Sequence, residues 1–331
     1  MTHSDRNAQD RGSGPAVHEG RKRLVVGTRD SQLALWQTKW VIGVLKAAHP
    51  DLEVEIRQIK TKGDKILDTP LPAIGDKGLF VKEIEHALAA GEIDLAVHSM
   101  KDVPTEIPPG LAIAGMSRRA DPRDVLISRS VKSVVELPKG ALIGTSSLRR
   151  IAQLKYLRPD LAFEPIRGNL DTRLRKLDGL KLSAIVLAAA GLDRLEWEAP
   201  VVERISPEIC LPAVGQGALG VEIRADDAWA GSLVESLRDL ETETAVRAER
   251  AFLGELEGGC HVPIGALGEV SGARLRISGV VASLDGERLV RGEVAGPARD
   301  SEELGFRLAQ QLRRQGAREI LEELKQALNN G

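Results

Sequence analysis

The sequence contains very little cysteine. Only Cys210 and Cys260 occur in 331 residues, which excludes a framework of several disulfide bonds. Residues 1–20 are polar, rich in Gly, Ser and Asp, and contain no apolar segment of signal-peptide length. We therefore expect a disordered leader over 1–20 and a cytoplasmic location.

Long apolar runs, aromatic side chains and an excess of one charge are also missing. The longest apolar run, AIVLAAAGL at 184–192, is about half the length that a membrane-spanning helix needs. Lys plus Arg number 46 against 48 for Asp plus Glu, and aromatic residues make up 3%. The chain has no excess of positive charge to bind phosphates and few aromatic side chains on which bases could stack, so its composition disfavours nucleic-acid binding. We expect neither a membrane span nor a nucleic-acid partner.

Short apolar strands alternate with helical patterns in two successive series. The first begins with RLVVG at residue 23 and the second with ALIGT at residue 141, and the polar stretch MSRRADPRD at 116–124 lies between them. This alternation predicts an α/β fold with mainly parallel sheets covered by helices. The polar stretch is predicted to be a linker between two lobes.

The pattern changes after residue 240. A helical stretch ends at Gly258 and Gly259, three strand patterns follow, and 301–328 is predicted as one amphipathic helix. These elements predict a small C-terminal α+β domain. The expected boundaries are 21–117 with 216–238 for lobe 1, 118–215 for lobe 2, and 239–331 for the C-terminal domain.

The two series begin alike. VGTRDS at 26–31 and IGTSS at 143–147 each run from a strand through Gly-Thr to a hydroxyl residue, Ser31 or Ser147. In a parallel sheet this junction lies at the carboxyl edge, where a helix N-terminus favours anions. The alternative is that both serines only cap helices.

Many cations lie in loops or near predicted strand and helix ends. They are Arg29, Lys77, Lys101, Arg149, Arg150, Arg167 and Arg173. In a chain with almost no net charge, this placement favours a cleft for a polycarboxylate or a phosphate. Asp102 follows the strand IDLAV and could stabilise a developing positive charge. A surface ion pair between Lys101 and Asp102 is the alternative.

Two glycine-containing motifs remain. In EGGCHVPI, glycines and Pro263 favour an irregular backbone around Cys260, so the thiol is either reachable for chemistry or a small buried residue at a bend. GQGALG at 215–220 matches the dinucleotide fingerprint, but a strand pattern follows it, which favours an interlobe crossing instead. No His and Cys spacing predicts a metal site.

Several motifs together resemble the porphobilinogen deaminase family, also called hydroxymethylbilane synthases. In order from about residue 22 to about residue 270 they include TRDSQLALWQ, GDKGLFVKEIE, DLAVHSMKDVPT, IGTSSLRRIAQL, IRGNLDTRLRKL, LPAVGQGALG and LEGGCHVPIG. The resemblance implies a monomer with two lobes like those of periplasmic binding proteins and a cofactor-bearing third domain. Such enzymes of tetrapyrrole (haem) biosynthesis join four porphobilinogen molecules head to tail, release ammonia, and free hydroxymethylbilane by hydrolysis.

The resemblance also implies a role for individual residues. A dipyrromethane cofactor would be bound by a thioether to Cys260, and Asp102 would be the catalytic carboxylate. Further cofactor-binding residues would be Lys101, Thr145, Ser147, Arg149, Arg150 and Arg173, and substrate-binding residues Arg29, Ser31, Lys77, Arg167 and Arg194. Where the family commonly has a lysine, this chain has Ala73, which could weaken binding of the cofactor or the growing chain.

Two other functions stay open from the residues alone. A two-lobed polycarboxylate-binding protein without catalysis would use the same cations, but it would usually carry an export signal and gives Cys260 no role. A transferase with a cysteine nucleophile would need a base near Cys260, and the sequence identifies none.

Overall fold

A computed structural model describes most of the chain. The described residues are 21–65, 78, 81–166, 168, 170–197, 202–256 and 262–329. The predicted leader, Ala73, Lys77, Arg167 and Cys260 lie outside them.

The helices and strands alternate as the sequence pattern predicts. In chain order they are β1 (Arg23–Thr28), α1 (Gln32–Ala48), β2 (Glu53–Gln58), α2 (Lys62–Lys65), α3 (Lys82–Ala89), β3 (Leu95–Ser99), β4 (Leu111–Met116), β5 (Asp124–Ile127), β6 (Leu142–Gly144), α4 (Leu148–Leu157), β7 (Ala162–Glu164), α5 (Leu170–Gly179), β8 (Ala184–Ala188), α6 (Ala189–Arg194), β9 (Val202–Arg204), β10 (Leu219–Arg224), α7 (Ala228–Val234), α8 (Leu240–Glu255), β11 (Ile264–Ser271), β12 (Arg274–Ala282), β13 (Leu289–Pro297), α9 (Ser301–Leu312) and α10 (Arg318–Asn329).

Two five-stranded sheets form the first part of the molecule. The first has the order β2-β1-β3-β10-β4 and the second β7-β6-β8-β5-β9. In the first sheet β1 runs parallel to β2 and β3, whereas β10 is antiparallel to β3 and β4. In the second sheet β6 is parallel to β7 and β8, whereas β5 is antiparallel to β8 and β9. The α/β prediction is confirmed, and both sheets are mixed.

The chain passes between the two sheets twice. It leaves the first sheet at Met116 and enters the second at Asp124, so the predicted linker is a short crossing over 117–123. It returns after β9 and adds β10 to the first sheet. Because β10 arrives from the other sheet, it can pair antiparallel without a crossover helix.

Apolar residues cover both faces of each sheet. In the first sheet, Leu24, Val26 and Leu95 lie in a buried cluster that also contains Val41 of α1 and Val234 of α7. Strands with helices on both faces are expected to be apolar throughout. Of the helices that the structure describes, none combines the length and apolarity needed to cross a bilayer.

The C-terminal part contains an antiparallel sheet with the order β11-β12-β13, packed against helices. Phe252 of α8, Ile277 of β12 and Leu308 of α9 share its core. The prediction of a single helix over 301–328 is wrong, because the helix is interrupted between α9 and α10. Gly316 has φ +108° there, a left-handed conformation that favours glycine.

Candidate active site

A 3₁₀ turn over Met100–Asp102 directly follows β3. It places Lys101 and Asp102, both half-buried, at the carboxyl end of a strand, as the sequence predicts. Met100 is 1% exposed and anchors the turn in an apolar cluster. Before the turn, Gln37 of α1 donates to the Ser99 hydroxyl at 3.0 Å.

The glycines of GQGALG allow the returning chain to pass close to this turn. Gly215 has φ +70°, and a Cβ there would lie 2.8 Å from Cβ of Met100. Gly217 has φ +94°, and a Cβ there would lie 2.5 Å from the Ala120 carbonyl oxygen in the other crossing. The strand β10 follows at once. The motif is therefore an interlobe crossing, as predicted.

Arg149 and Arg150, in the first turn of α4, share one buried carboxylate. Asp124 is 0% exposed. Arg149 Nη1 donates to Asp124 Oδ2 at 2.7 Å, and Arg150 Nη2 donates to Oδ1 at 2.8 Å. Each arginine also donates to a backbone carbonyl, Leu211 at 2.6 Å and Val186 at 2.8 Å. Two guanidinium charges thus face one carboxylate.

Asp124 is a site residue that the sequence reasoning does not identify. Asp124 ends the polar stretch MSRRADPRD, which has the composition of a linker. The apolar residues VLI that follow it could indicate an acid at the start of a buried strand. Burial alone would raise the pKa of Asp124, but the charges of Arg149 and Arg150 outweigh it and hold that pKa below its usual range. Asp124 therefore stays ionised.

Two buried polar atoms beside Asp124 have no hydrogen-bond partner among the residues that the structure describes. They are Nε of Arg150 and Oε1 of Gln216. Gln216 is 1% exposed, and its Nε2 donates to Asp124 Oδ1 at 3.0 Å and to the Pro122 carbonyl at 2.6 Å. An unpartnered buried donor and acceptor are costly, so this place suits a polar ligand.

Cys210 lies in the same buried network. Arg149 Nη1 approaches its sulfur at 3.4 Å. Burial raises the pKa of the Cys210 thiol to about 12, so almost no thiolate forms at neutral pH. Cys210 is therefore a structural residue.

Lys101 couples the two sheets electrostatically. Burial lowers its pKa to about 8. The charges of Asp102 and Asp124 raise that pKa, whereas those of Arg150 and Arg173 lower it further. Because Lys101 and Asp102 follow β3 and the other three groups belong to the second sheet's part of the chain, the site lies between the lobes.

The hydroxyl residues at the two helix starts behave differently. The Ser31 hydroxyl accepts from the Ala34 amide at 3.3 Å, so Ser31 caps α1, and its predicted role in substrate binding stays a prediction. Ser147 makes no such side-chain cap. Instead, the buried Thr145 hydroxyl accepts from the Ser147 amide at 3.3 Å. The Ser147 side chain is thus not required for capping α4.

Three further cations that the sequence analysis assigns to the site are described. Arg29 is half-buried directly after β1. Arg173 Nε donates to the Gly168 carbonyl at 2.9 Å. Arg194 Nη2 donates to the Gly217 carbonyl at 2.7 Å, and burial lowers the pKa of Arg194 to about 10. Arg194 therefore links α6 to the returning crossing.

Comparison with known proteins gives two adjacent family matches. Residues 24–232 match "Porphobilinogen deaminase, dipyromethane cofactor binding domain", and residues 243–314 match "Porphobilinogen deaminase, C-terminal domain". The first match agrees with the predicted dipyrromethane cofactor.

Curated relatives match over nearly the full length. Porphobilinogen deaminase of Carboxydothermus hydrogenoformans is 53% identical over 309 residues, which are 93% of this chain and 99% of that protein. Porphobilinogen deaminase of Geobacter metallireducens is 54% identical over 305 residues, which are 92% of this chain and 96% of that protein.

A solved structure is similar at a lower level. The periplasmic aliphatic sulphonate binding protein SsuA from Escherichia coli has a TM-score of 0.39 and 13% identity, over 72% of this chain and 71% of that one. The two family matches and the two relatives from Carboxydothermus and Geobacter show that this chain is an enzyme of the porphobilinogen deaminase family.

Proposed function

We propose that this chain is a hydroxymethylbilane synthase, a transferase that joins four porphobilinogen molecules head to tail with loss of ammonia and releases hydroxymethylbilane by hydrolysis. The observation that carries the proposal is the cluster of charged residues between the two lobes. On one side is the Lys101–Asp102 turn, and on the other are two arginines that share the single carboxylate of Asp124.

The described residues fit a dipyrromethane bearing acetate and propionate groups. Nε of Arg150 and Oε1 of Gln216 have no partner among the described residues, so the first can donate to a ligand carboxylate and the second can accept from a pyrrole N–H. The net positive charge of the Arg149–Arg150–Asp124 cluster favours an anion at the same place. Lys101 and Arg173 add cations within electrostatic range.

We assign the following roles. Cys260 holds the cofactor through a thioether, with Lys101, Thr145, Ser147, Arg149, Arg150 and Arg173 around it, while Arg29, Ser31, Lys77, Arg167 and Arg194 bind substrate carboxylates. When bound, the dipyrromethane supplies the pyrrole carbon to which the first substrate is joined. Asp102 accepts hydrogen bonds from pyrrole N–H groups and stabilises the positive charge that develops as ammonia leaves.

We also propose the predicted domain boundaries, 21–117 with 216–238, 118–215 and 239–331, because each range contributes its own sheet. A cytoplasmic monomer without a nucleic-acid partner completes the proposal. The low cysteine content and balanced charge support it.

Asp102→Asn tests the chemistry. Removing the carboxylate charge while keeping the side-chain shape should lower turnover by about 100-fold or more, because the developing positive charge loses its partner. Ammonia and hydroxymethylbilane formation from porphobilinogen measure this, and intact mass reports whether the cofactor is retained.

Glu106→Gln is the matched control, since Glu106 is an exposed acid four residues further along. It should turn over normally. Near-normal turnover of Asp102→Asn would contradict the role of Asp102. Binding of porphobilinogen by the wild-type protein without any ammonia release would favour the polycarboxylate-binding alternative.

A further inference from the structure

One arginine of the C-terminal part holds the backbone that follows Asp102. Arg250 lies on α8, and its guanidinium donates to three successive carbonyls: Nη1 to Val103 at 3.2 Å, and Nη2 to Pro104 at 2.6 Å and to Thr105 at 3.0 Å. The donors are rigidly arranged in the planar guanidinium, so they fix the path of this backbone as well as its distance from the helix.

The same face of α8 makes further contacts with this segment. Val246, one helical turn before Arg250, packs in the apolar cluster that contains Met100 and Val103. One turn after it, a Cβ at Gly254 would lie 4.0 Å from Cβ of Thr105. Residues spaced by four lie on one side of a helix. The stripe Val246–Arg250–Gly254 therefore lies along the Met100–Thr105 segment.

Arg250 is partly buried where it makes these contacts. Burial lowers the pKa of Arg250, while the charge of Glu222 raises it. A desolvated arginine forms stronger hydrogen bonds, but leaving its carbonyl partners unpaired costs correspondingly more. The guanidinium therefore opposes any displacement of the segment away from α8.

We infer that Arg250 is a positioning residue that holds the segment following the catalytic Asp102 against α8. The inference rests on the proposed function of Asp102 and Cys260. Asp102 directly precedes the three carbonyls that Arg250 holds, and α8 ends at Glu255, five residues before Cys260. One helix thus holds the Asp102 segment and leads to the anchoring cysteine.

Hydrogen exchange provides a test that does not require activity. In the Cys260→Ser background, which excludes the thioether, Arg250→Gln should speed amide exchange of peptides covering 100–106 by about tenfold or more, because three hydrogen bonds that hold this backbone are lost. Arg247→Gln is the matched control. Arg247 is on the same helix, its side chain is 54% exposed, and its Nε lies 3.8 Å from the Glu302 carboxylate.

Kinetics of the cofactor-loaded enzyme provide the second measurement. Arg250→Gln should lower kcat by about 10- to 100-fold with little change in KM, because Asp102 is displaced while the carboxylate-binding arginines are untouched. Arg250→Lys, which keeps the charge but not the fork of donors, should be intermediate in both measurements. It also replaces Arg250→Gln as the test if that variant does not fold.

The two possible failures are distinguishable. Unchanged exchange over 100–106 in a folded Arg250 variant would overturn the inference, whatever the enzyme does. Absence of hydroxymethylbilane formation by the wild-type protein would overturn the proposed function, whereas faster exchange in Arg250→Gln would still show that Arg250 holds the segment.

Discussion

Asp124 is the side chain on which the cationic part of the cleft depends. It accepts from Arg149, Arg150 and Gln216 while fully buried. Its single negative charge leaves the arginine pair with a positive balance, which suits a ligand carboxylate. Removing one partner of a buried ion pair typically costs about 3–5 kcal/mol, so this residue also stabilises the fold.

Lys101 should titrate at unusually low pH. Burial lowers its pKa from 10.5 to about 8, so the ammonium loses its proton in a range where an exposed lysine stays charged. The pKa of Lys101 is lower in the folded state than in the unfolded state. Burying the charged ammonium therefore lowers the free energy of unfolding, and this cost has its full size below about pH 8. This cost is relieved as pH rises towards 10.5.

NMR of ¹³C-lysine in the cofactor-free Cys260→Ser protein measures this titration. One lysine resonance should titrate near pH 8, and it should be absent from the same protein carrying Lys101→Arg. A spectrum in which every lysine titrates above about pH 9.5 would show that Lys101 is not desolvated between the lobes.

The glycines of GQGALG allow the crossing over 215–218 to pass close to neighbouring backbone before β10 begins. The strand pattern after its glycines predicts a crossing, and β10 confirms this. The close approach to Met100 and to Ala120 explains why side chains are excluded at Gly215 and Gly217.

Gly217→Ala should destabilise the protein by about 2 kcal/mol or more. The new Cβ would lie 2.5 Å from a backbone oxygen, and φ is +94°. Gly43→Ala is the matched control, because Gly43 lies within α1 and a Cβ added there would have no heavy atom within 4 Å. It should stabilise by up to about 1 kcal/mol. Urea unfolding compares them, and equal stability of the two variants would contradict the close crossing.

Local periodicity predicts the elements well, but tertiary contacts lie beyond it. The strands of both lobes and of the C-terminal sheet follow from alternating and apolar patterns. The interruption between α9 and α10 escapes prediction because the apolar positions continue across it, although Gly316 adopts a left-handed conformation. The hydrogen bonds from Arg250 to three carbonyls join residues about 145 positions apart. No rule of sequence spacing predicts a contact over this separation.

The site residues divide in the same way. The Lys101–Asp102 turn and the arginine pair are predictable from their places at strand and helix ends, and the structure brings Lys101 near Arg150 and Arg173. Asp124 and Gln216 are not predictable in this way, because their hydrogen bond forms only when the second sheet and the returning crossing meet in the fold. The catalytic and binding roles of all these residues stay predictions, and Lys77, Arg167 and Cys260 also lie outside the described part of the chain.

At the scale of the whole molecule, Glu249 of α8 joins the two crossings to the C-terminal sheet. Its carboxylate is 0% exposed and accepts from Arg119 at 3.2 Å, from the Gly215 amide at 2.7 Å and from the Gly268 amide at 2.8 Å. Together with Arg250, it makes α8 one of the elements that join the C-terminal part to the two lobes.

The intact mass of the purified protein, measured beside Cys260→Ser, tests the central claim most directly. We predict that the wild-type protein carries an excess mass equal to two linked pyrrole units and that the variant lacks it. A wild-type protein that stays unmodified even after incubation with porphobilinogen would contradict the account and favour a two-lobed binding protein.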